Sequence, residues 1–137
     1  MVHWTEEEKT EITHTWGSTN QTALGTKALE RMFCVYPWTT RYFSKIPGFT
    51  AEGHAIKVVG ALDKAVKHLD DVKAEFKDLS KKHAEQLHID SGSFHLLTDC
   101  FVVELAHLEK CKFTPHIHAT WDKFFKVVVD AISKHYH

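Results

Sequence analysis

Two histidines in the stretch LSKKHAEQLHID, His83 and His88, stand five residues apart in a segment with helical patterning. Five helical residues turn through roughly 500°, so the two rings point about 140° apart and do not readily share one metal ion. Each needs its own role. A third histidine, His54, begins another helical stripe, with Val58, Leu62, Ala65 and Leu69 at i+4, i+8, i+11 and i+15. His83 lies in the stripe Phe76, Leu79, His83, Leu87 in the same manner. An imidazole on an apolar face is ordinarily a hydrogen-bonded core or boundary residue, and that reading stands for either one alone.

Two facing helices that each present one imidazole from an apolar wall also form a slot for a flat apolar ligand with a metal at its centre. Haem is then the candidate cofactor. One neutral imidazole binds the iron axially, and the other bonds whatever occupies the opposite face. The chain has no CxxCH, so such a haem is held non-covalently. Zinc fits less well: there is no HExxH, and the HIH of His116 to His118 has no other ligands near it in sequence.

The elements that position these groups are helical almost throughout. Three prolines and six glycines punctuate 137 residues, and the patterning between them has the helical period. Thr5 with Glu8 forms a capping box that opens a first helix to about Trp16-Gly17. A second helix is predicted from Asn20 to Tyr36, stopped by Pro37, followed by a short turn to Tyr42 and the loop SKIPGFTAEG. The His54 helix runs from about Ala51 to Leu69, and the His83 helix follows the polar DDVK. Beyond the break at Ser91-Gly92-Ser93 a stripe of Phe94, Leu97, Phe101, Leu105 and Leu108 marks another helix. Thr114 as N-cap with Pro115 at the first helical position opens the last one, through Trp121, Phe124, Phe125, Val128 and Ile132. No strand is required. The expectation is an all-α fold of about seven helices in a single domain over residues 1–137.

The bulk numbers narrow the function. A net charge of −1 argues against nucleic acid as partner. No apolar run approaches the ~20 residues that span a bilayer, and the acidic opening VHWTEEEKTEI lacks the apolar core of a signal peptide. Three cysteines, Cys34, Cys100 and Cys111, without a CxxC pair, suit a reducing, intracellular setting. Twelve histidines make proton-linked behaviour an expectation worth testing.

VHWTEEEKTEITHTWG, VYPWTTRYF, LSKKHAEQLHID, FHLL and the terminal HYH, in this order and spacing, resemble the beta-type chains of vertebrate haemoglobins within the globin family. The resemblance covers Val2 to His137. It implies a globin fold, haem b as cofactor, and reversible binding of O2 and CO, with no enzymatic turnover. It also implies oxygen transport in the red-cell cytoplasm. By position, His83 matches the proximal iron ligand and His54 the distal histidine that donates a hydrogen bond to O2. Val58 matches the valine that crowds the ligand. Tyr42, Phe43, Ile46, Leu62, Leu79, Leu87, Ile89, Phe94, Leu97 and Ile132 match haem contacts, and Lys57 a residue near a propionate.

The same resemblance implies partners: two alpha chains joined with two beta chains. Trp38, Arg41, His88 and Asp90 match the sliding contact with an alpha chain, and Arg31, Val35, Phe113 and Pro115 the fixed one. His88 thereby acquires its role, at the corner that shifts by one helical turn between quaternary states; haemoglobin is itself the worked illustration of that shift. Tyr136 and His137 match the terminal pair that locks the low-affinity state, with Glu85 the acid that meets the terminal imidazole. Val2 (after loss of Met1), His3, Lys73 and Lys134 match a cationic cleft for organic phosphate or another anion, and Lys134 stands where histidine is frequent.

Two features depart from the pattern. Ten residues, Ser44 to Gly53, separate Phe43 from His54, which leaves no room for the short fourth helix and suggests a divergent, fish-like lineage. That spacing is also found in alpha chains, yet YPWTTRYF and the HYH ending are of beta type. Ala84 follows the proximal histidine where relatives carry cysteine or serine. Three rivals remain to compare: a monomeric O2 store, a peroxidase-like haem enzyme, and a helical interaction protein without haem. Trp38, His88 and the Tyr136-His137 end have no use in the first. The second needs further polar acid–base groups beside His54, and the third would have no visible spectrum.

Overall fold

The computed structural model describes residues 2–84 and 90–135. Side-chain caps start the long helices. Thr5 Oγ1 accepts from the Glu8 N–H at 3.1 Å and Glu8 Oε1 accepts from the Thr5 N–H at 2.9 Å, closing the capping box of α1 (Glu6–Ser18). Asn20 caps α2 (Gln21–Val35), and Pro37, lacking an N–H, turns the chain into a 3-10 segment, Pro37–Tyr42. Thr50 caps α3 (Ala51–Lys67) by accepting from the Gly53 N–H at 3.0 Å. Thr114 caps α7 (Pro115–Ile132), with Pro115 at its first position as expected.

Between them lie α4 (Val72–Glu75), α5 (Lys77–Lys82) and α6 (Phe94–Glu109). That makes seven α-helices and no strand among the described residues. Residues 43–50 contain turns and no helix, including Gly48 at φ +67, so the short fourth helix is indeed missing. Three expectations are corrected. The His54 helix ends at Lys67, two residues short of Leu69, where His68 N–H turns back to the Ala65 carbonyl. The stretch expected as one helix around His83 is broken at Phe76 (φ −99, ψ 3) into α4 and α5. Leu108 is exposed, because the end of α6 runs out beyond the core.

The core is built where α2 packs between α3 and α6 and where α7 lies along α1, α4, α5 and α6. Trp121, Phe124, Phe101, Leu24, Leu29 and Leu105 are fully buried. Gly25 lets α2 and α3 approach: a Cβ there would lie 2.7 Å from Val59 Cγ1 and 3.3 Å from Ala55 Cβ. Two of the four indoles are tied at their polar ends. Trp4 Nε1 donates to the Leu69 carbonyl at 3.0 Å, and Trp16 Nε1 to Asp63 Oδ1 at 3.0 Å. No described helix is long and apolar enough to cross a membrane.

Candidate functional site

The single apolar face predicted for α3 resolves into two. Ala55, Val59, Leu62, Ala65 and Val66 are buried, with Ala55 and Val59 against Gly25 of α2. His54 and Val58, each one residue earlier in its turn, are only half-buried. A rotation of 100° per residue is what separates a wall from a lining. His54 meets an aromatic group, with Phe43 edge-on at 5.0 Å and Phe49 at 5.7 Å between ring centroids. Phe43 and Phe49 also pack on each other and on Phe33 of α2.

Across from this group, His83 follows α5 and is half-buried, edge-on to Phe94 at 5.5 Å. Its Nδ1 lies 2.9 Å from the Leu79 carbonyl oxygen. A carbonyl only accepts, so Nδ1 carries the proton and, in the neutral ring, Nε2 keeps its lone pair. Burial, above all, holds both imidazoles below the ordinary histidine value; for His54 the charges of Lys57 and His83 add to it, and for His83 that of Lys82, partly offset by the Leu79 bond. His83 is thus near enough to His54 for a charge on one to disfavour a charge on the other. The arrangement is two imidazoles from distant parts of the chain, one packed on Phe43 and Phe49 and the other on Phe94 and bonded to Leu79, while Val58, Leu97 and Ile132, expected beside them, are half-buried. A dry, apolar surround with one orientated axial nitrogen is what a non-covalent haem requires, so these residues fit the group.

Other expected contacts are distributed less evenly. Tyr42 is half-buried, and its hydroxyl accepts from Ser93 Oγ at 3.1 Å and from Arg41 Nη2 at 3.3 Å, two bonds that pull the phenol below its usual value. The Ser93 bond joins the 3-10 turn to the start of α6. Leu62 is buried in the core, Lys57 is exposed, and Ile46 stands exposed on the loop, outside the packed set. Leu87, Ile89, Glu85, His88, Tyr136 and His137 lie outside the described residues.

The expected subunit-contact residues form a different kind of surface. Val35 and Trp38 are each 52% exposed. Trp38 is braced edge-on by Tyr36 at 5.4 Å. Arg31 Nη2 pairs with Glu104 at 3.0 Å, a carboxylate that is otherwise buried. Phe113 is half-buried, and Pro115, Arg41 and Asp90 are exposed. The expected anion-cleft residues Val2, His3, Lys73 and Lys134 are likewise exposed.

Sequence patterning missed Phe49, Phe33 and two buried serines. Ser93 anchors Tyr42, and Ser80, fully buried, accepts from the His135 N–H at 3.2 Å and so ties α5 to the chain after α7. No periodic signal marks a lone aromatic in a turn or a serine in a polar stretch.

The comparisons agree with this geometry. The globin family profile matches residues 26–132. The haemoglobin subunit beta of Mustelus griseus is 64% identical over 137 residues, covering the whole of both chains. The solved deoxy haemoglobin of Mustelus griseus superposes with a TM-score of 0.97 at 64% identity, over 99% of this chain and 100% of that one. Shortfin mako (Isurus oxyrinchus) haemoglobin gives 0.95 at 65% identity, over 99% and 100%.

Proposed function

Because this chain belongs to the globin family, as a beta-type haemoglobin chain whose work is oxygen transport, we propose that it binds O2 reversibly on haem b as one of two beta chains assembled with two alpha chains. The observation that carries the proposal is the Nδ1–Leu79 bond, which fixes the tautomer of His83 and leaves Nε2 as the nitrogen that would hold the iron. Haem supplies a ferrous iron that takes up O2 or CO. The protein supplies everything that makes this reversible.

Burial keeps His83 neutral, so that a lone pair and not a proton occupies Nε2. The same effect keeps His54 neutral, able to donate one N–H to a small ligand without delivering an acidic proton. Phe43 and Phe49 brace the His54 ring, and Val58, one turn on, limits the space beside it. The remaining haem contacts proposed are Tyr42, Ile46, Lys57, Leu62, Leu79, Leu87, Ile89, Phe94, Leu97 and Ile132. Apolar side chains in this set exclude the water and protons that favour oxidation. Among the described residues, the rings that pack on His54 are those of Phe43 and Phe49.

Assembly and regulation belong to the same proposal. Arg31, Val35, Phe113 and Pro115 form the fixed alpha contact; Trp38, Arg41, His88 and Asp90 form the sliding one. The exposed Val35 and Trp38 support this, since an aromatic braced by a neighbour is a typical interface anchor. Val2, His3, Lys73 and Lys134 bind an organic phosphate or similar anion. In the deoxy state His137 meets Glu85, which raises its proton affinity there, so O2 affinity falls as pH falls. Such a carrier works in red-cell cytoplasm.

Native mass spectrometry of the chain with an alpha partner tests assembly: a haem-loaded heterotetramer supports the proposal, and a monomer favours an oxygen store. The pH dependence of O2 affinity in His137→Ala tests the proton linkage, and an unchanged slope would remove it.

A further inference from the structure

We propose that α1 and α7 together form a site for a divalent transition-metal ion, with Zn2+ as the representative cation, ligated by Glu7, Glu11 and His116. The site is separate from the haem reading and does not depend on it. In sequence, the HIH of the last helix lacks neighbouring ligands; in space, α1 supplies them. Glu7 and Glu11 stand four residues apart, on one face of α1, and α7 lies against that helix. His116 Nε2 lies 2.8 Å from Glu11 Oε1 and 3.5 Å from Glu7 Oε1, and one ligand atom from each residue falls within 4.8 Å of the others.

Zinc holds nitrogen and carboxylate oxygen at about 2.0–2.2 Å in a tetrahedron, which sets neighbouring ligand atoms a little over 3 Å apart. The separations here span that value, so small side-chain rotations close the set around one ion. A fourth position stays open to water. Imidazole with carboxylates favours zinc and its neighbours in the first transition row over magnesium or calcium, which take oxygen ligands alone.

The charges around the cluster are already apportioned. Lys123 holds Glu8 at 3.0 Å, and Lys9, bonded to Asp70 at 3.1 Å, also lies 3.8 Å from Glu6, so each flanking acid has an ammonium within reach. Glu7 and Glu11 turn instead to one imidazole. Whatever the state of that ring, two carboxylates leave at least one negative charge uncompensated, which a dication neutralises. Glu11 is also held in place: its side chain is 15% exposed, and its Oε2 accepts from Thr120 Oγ1 at 2.9 Å. That bond leaves Oε1 for His116 and gives the carboxylate the kind of outer support that metal ligands have. Glu7 and His116 remain exposed, so an ion has a path in.

Calorimetric titration with Zn2+ tests the site, using the haem-loaded chain with Cys34→Ser and Cys111→Ser so that exposed thiols do not compete. One tight equivalent is expected. Loss of an outer-shell partner generally weakens metal binding about 10–100-fold, so His116→Gln should weaken it at least that much and Thr120→Val by about the lower figure. Glu7→Gln is the discriminating variant, because it leaves the His116–Glu11 hydrogen bond intact while removing one ligand. It should weaken Zn2+ by a similar factor, whereas His14→Gln, elsewhere on α1, should not. Zn2+ should raise the Tm of the parent and not of His116→Gln. If Glu7→Gln binds like the parent, or His116→Gln keeps the tight equivalent, the contact is an ion pair only and the proposal fails.

Discussion

The two walls that carry the imidazoles are built differently. His54 rides on α3, seventeen residues long, capped by Thr50 and pressed against α2 at the closest helix approach that Gly25 allows. His83 follows α5, six residues long, cut off from α4 at Phe76, and its ring is orientated by one bond to Leu79. The distal wall is held by packing along its whole length. The proximal wall is held at points: Leu79 to His83, Ser80 to His135, Phe76 in the core. Local opening costs least where anchors are few, so among the described residues the His83 side is expected to open before the His54 side.

The largest expected effect comes from deleting the proximal anchor. His83→Gly should abolish stable haem uptake, read as loss of the Soret band after haem addition, with recovery when free imidazole is supplied. Retained uptake without imidazole would mean that packing, not ligation, holds the group. Next comes the packed wall. Gly25→Ala puts a methyl into Val59 and should destabilise by about 1–3 kcal/mol in urea unfolding. Gly60→Ala, on the open face of α3 with nothing within 4 Å of the added carbon, should instead stabilise by about 0.5–1 kcal/mol. Equal signs at the two glycines would break the contrast between walls.

Acid should then act on the proximal ligand. The folded-state value of His83 lies below the ordinary value of about 6.5, with burial the main cause. The linked stability is therefore complete above that pH and is lost as pH falls toward the folded-state value. Urea unfolding of the haem-free chain should lose more stability as pH falls below ~6.5 in the parent than in His83→Gln, and an equal loss in both would count against a buried, neutral His83. An effect as modest as that at Gly60 is expected at Ser80→Ala, which leaves the His135 N–H without its acceptor and should cost about 1 kcal/mol while leaving the His54 side unaltered.

What the sequence made legible was local. Thr5 with Glu8, and Thr114 with Pro115, announce helix starts because the partners are three residues apart or fewer. The histidine stripes pointed to haem, and the ten-residue spacing before His54 foretold the absent helix between Phe43 and Ala51. What stayed hidden depends on contacts between distant segments. Phe49 gains its place beside His54 only when the loop folds over α3, and the two faces of α3 become distinct only once α2 occupies one of them. The break at Phe76 leaves no mark in the helical period, since its ring is buried at 3% exposure just as a ring inside a continuous helix would be. Glu7 and His116 meet across more than a hundred residues of chain.

The account rests most directly on iron ligated by His83 alone and open on the His54 side. The optical spectrum of the ferrous protein, deoxygenated and then in air, reads this in one sample. A Soret band with one broad visible band that splits in two with O2, and reverts when O2 is removed, is expected. A six-coordinate spectrum in the deoxygenated protein would contradict it, because His54 would then be a second ligand and not a donor to O2.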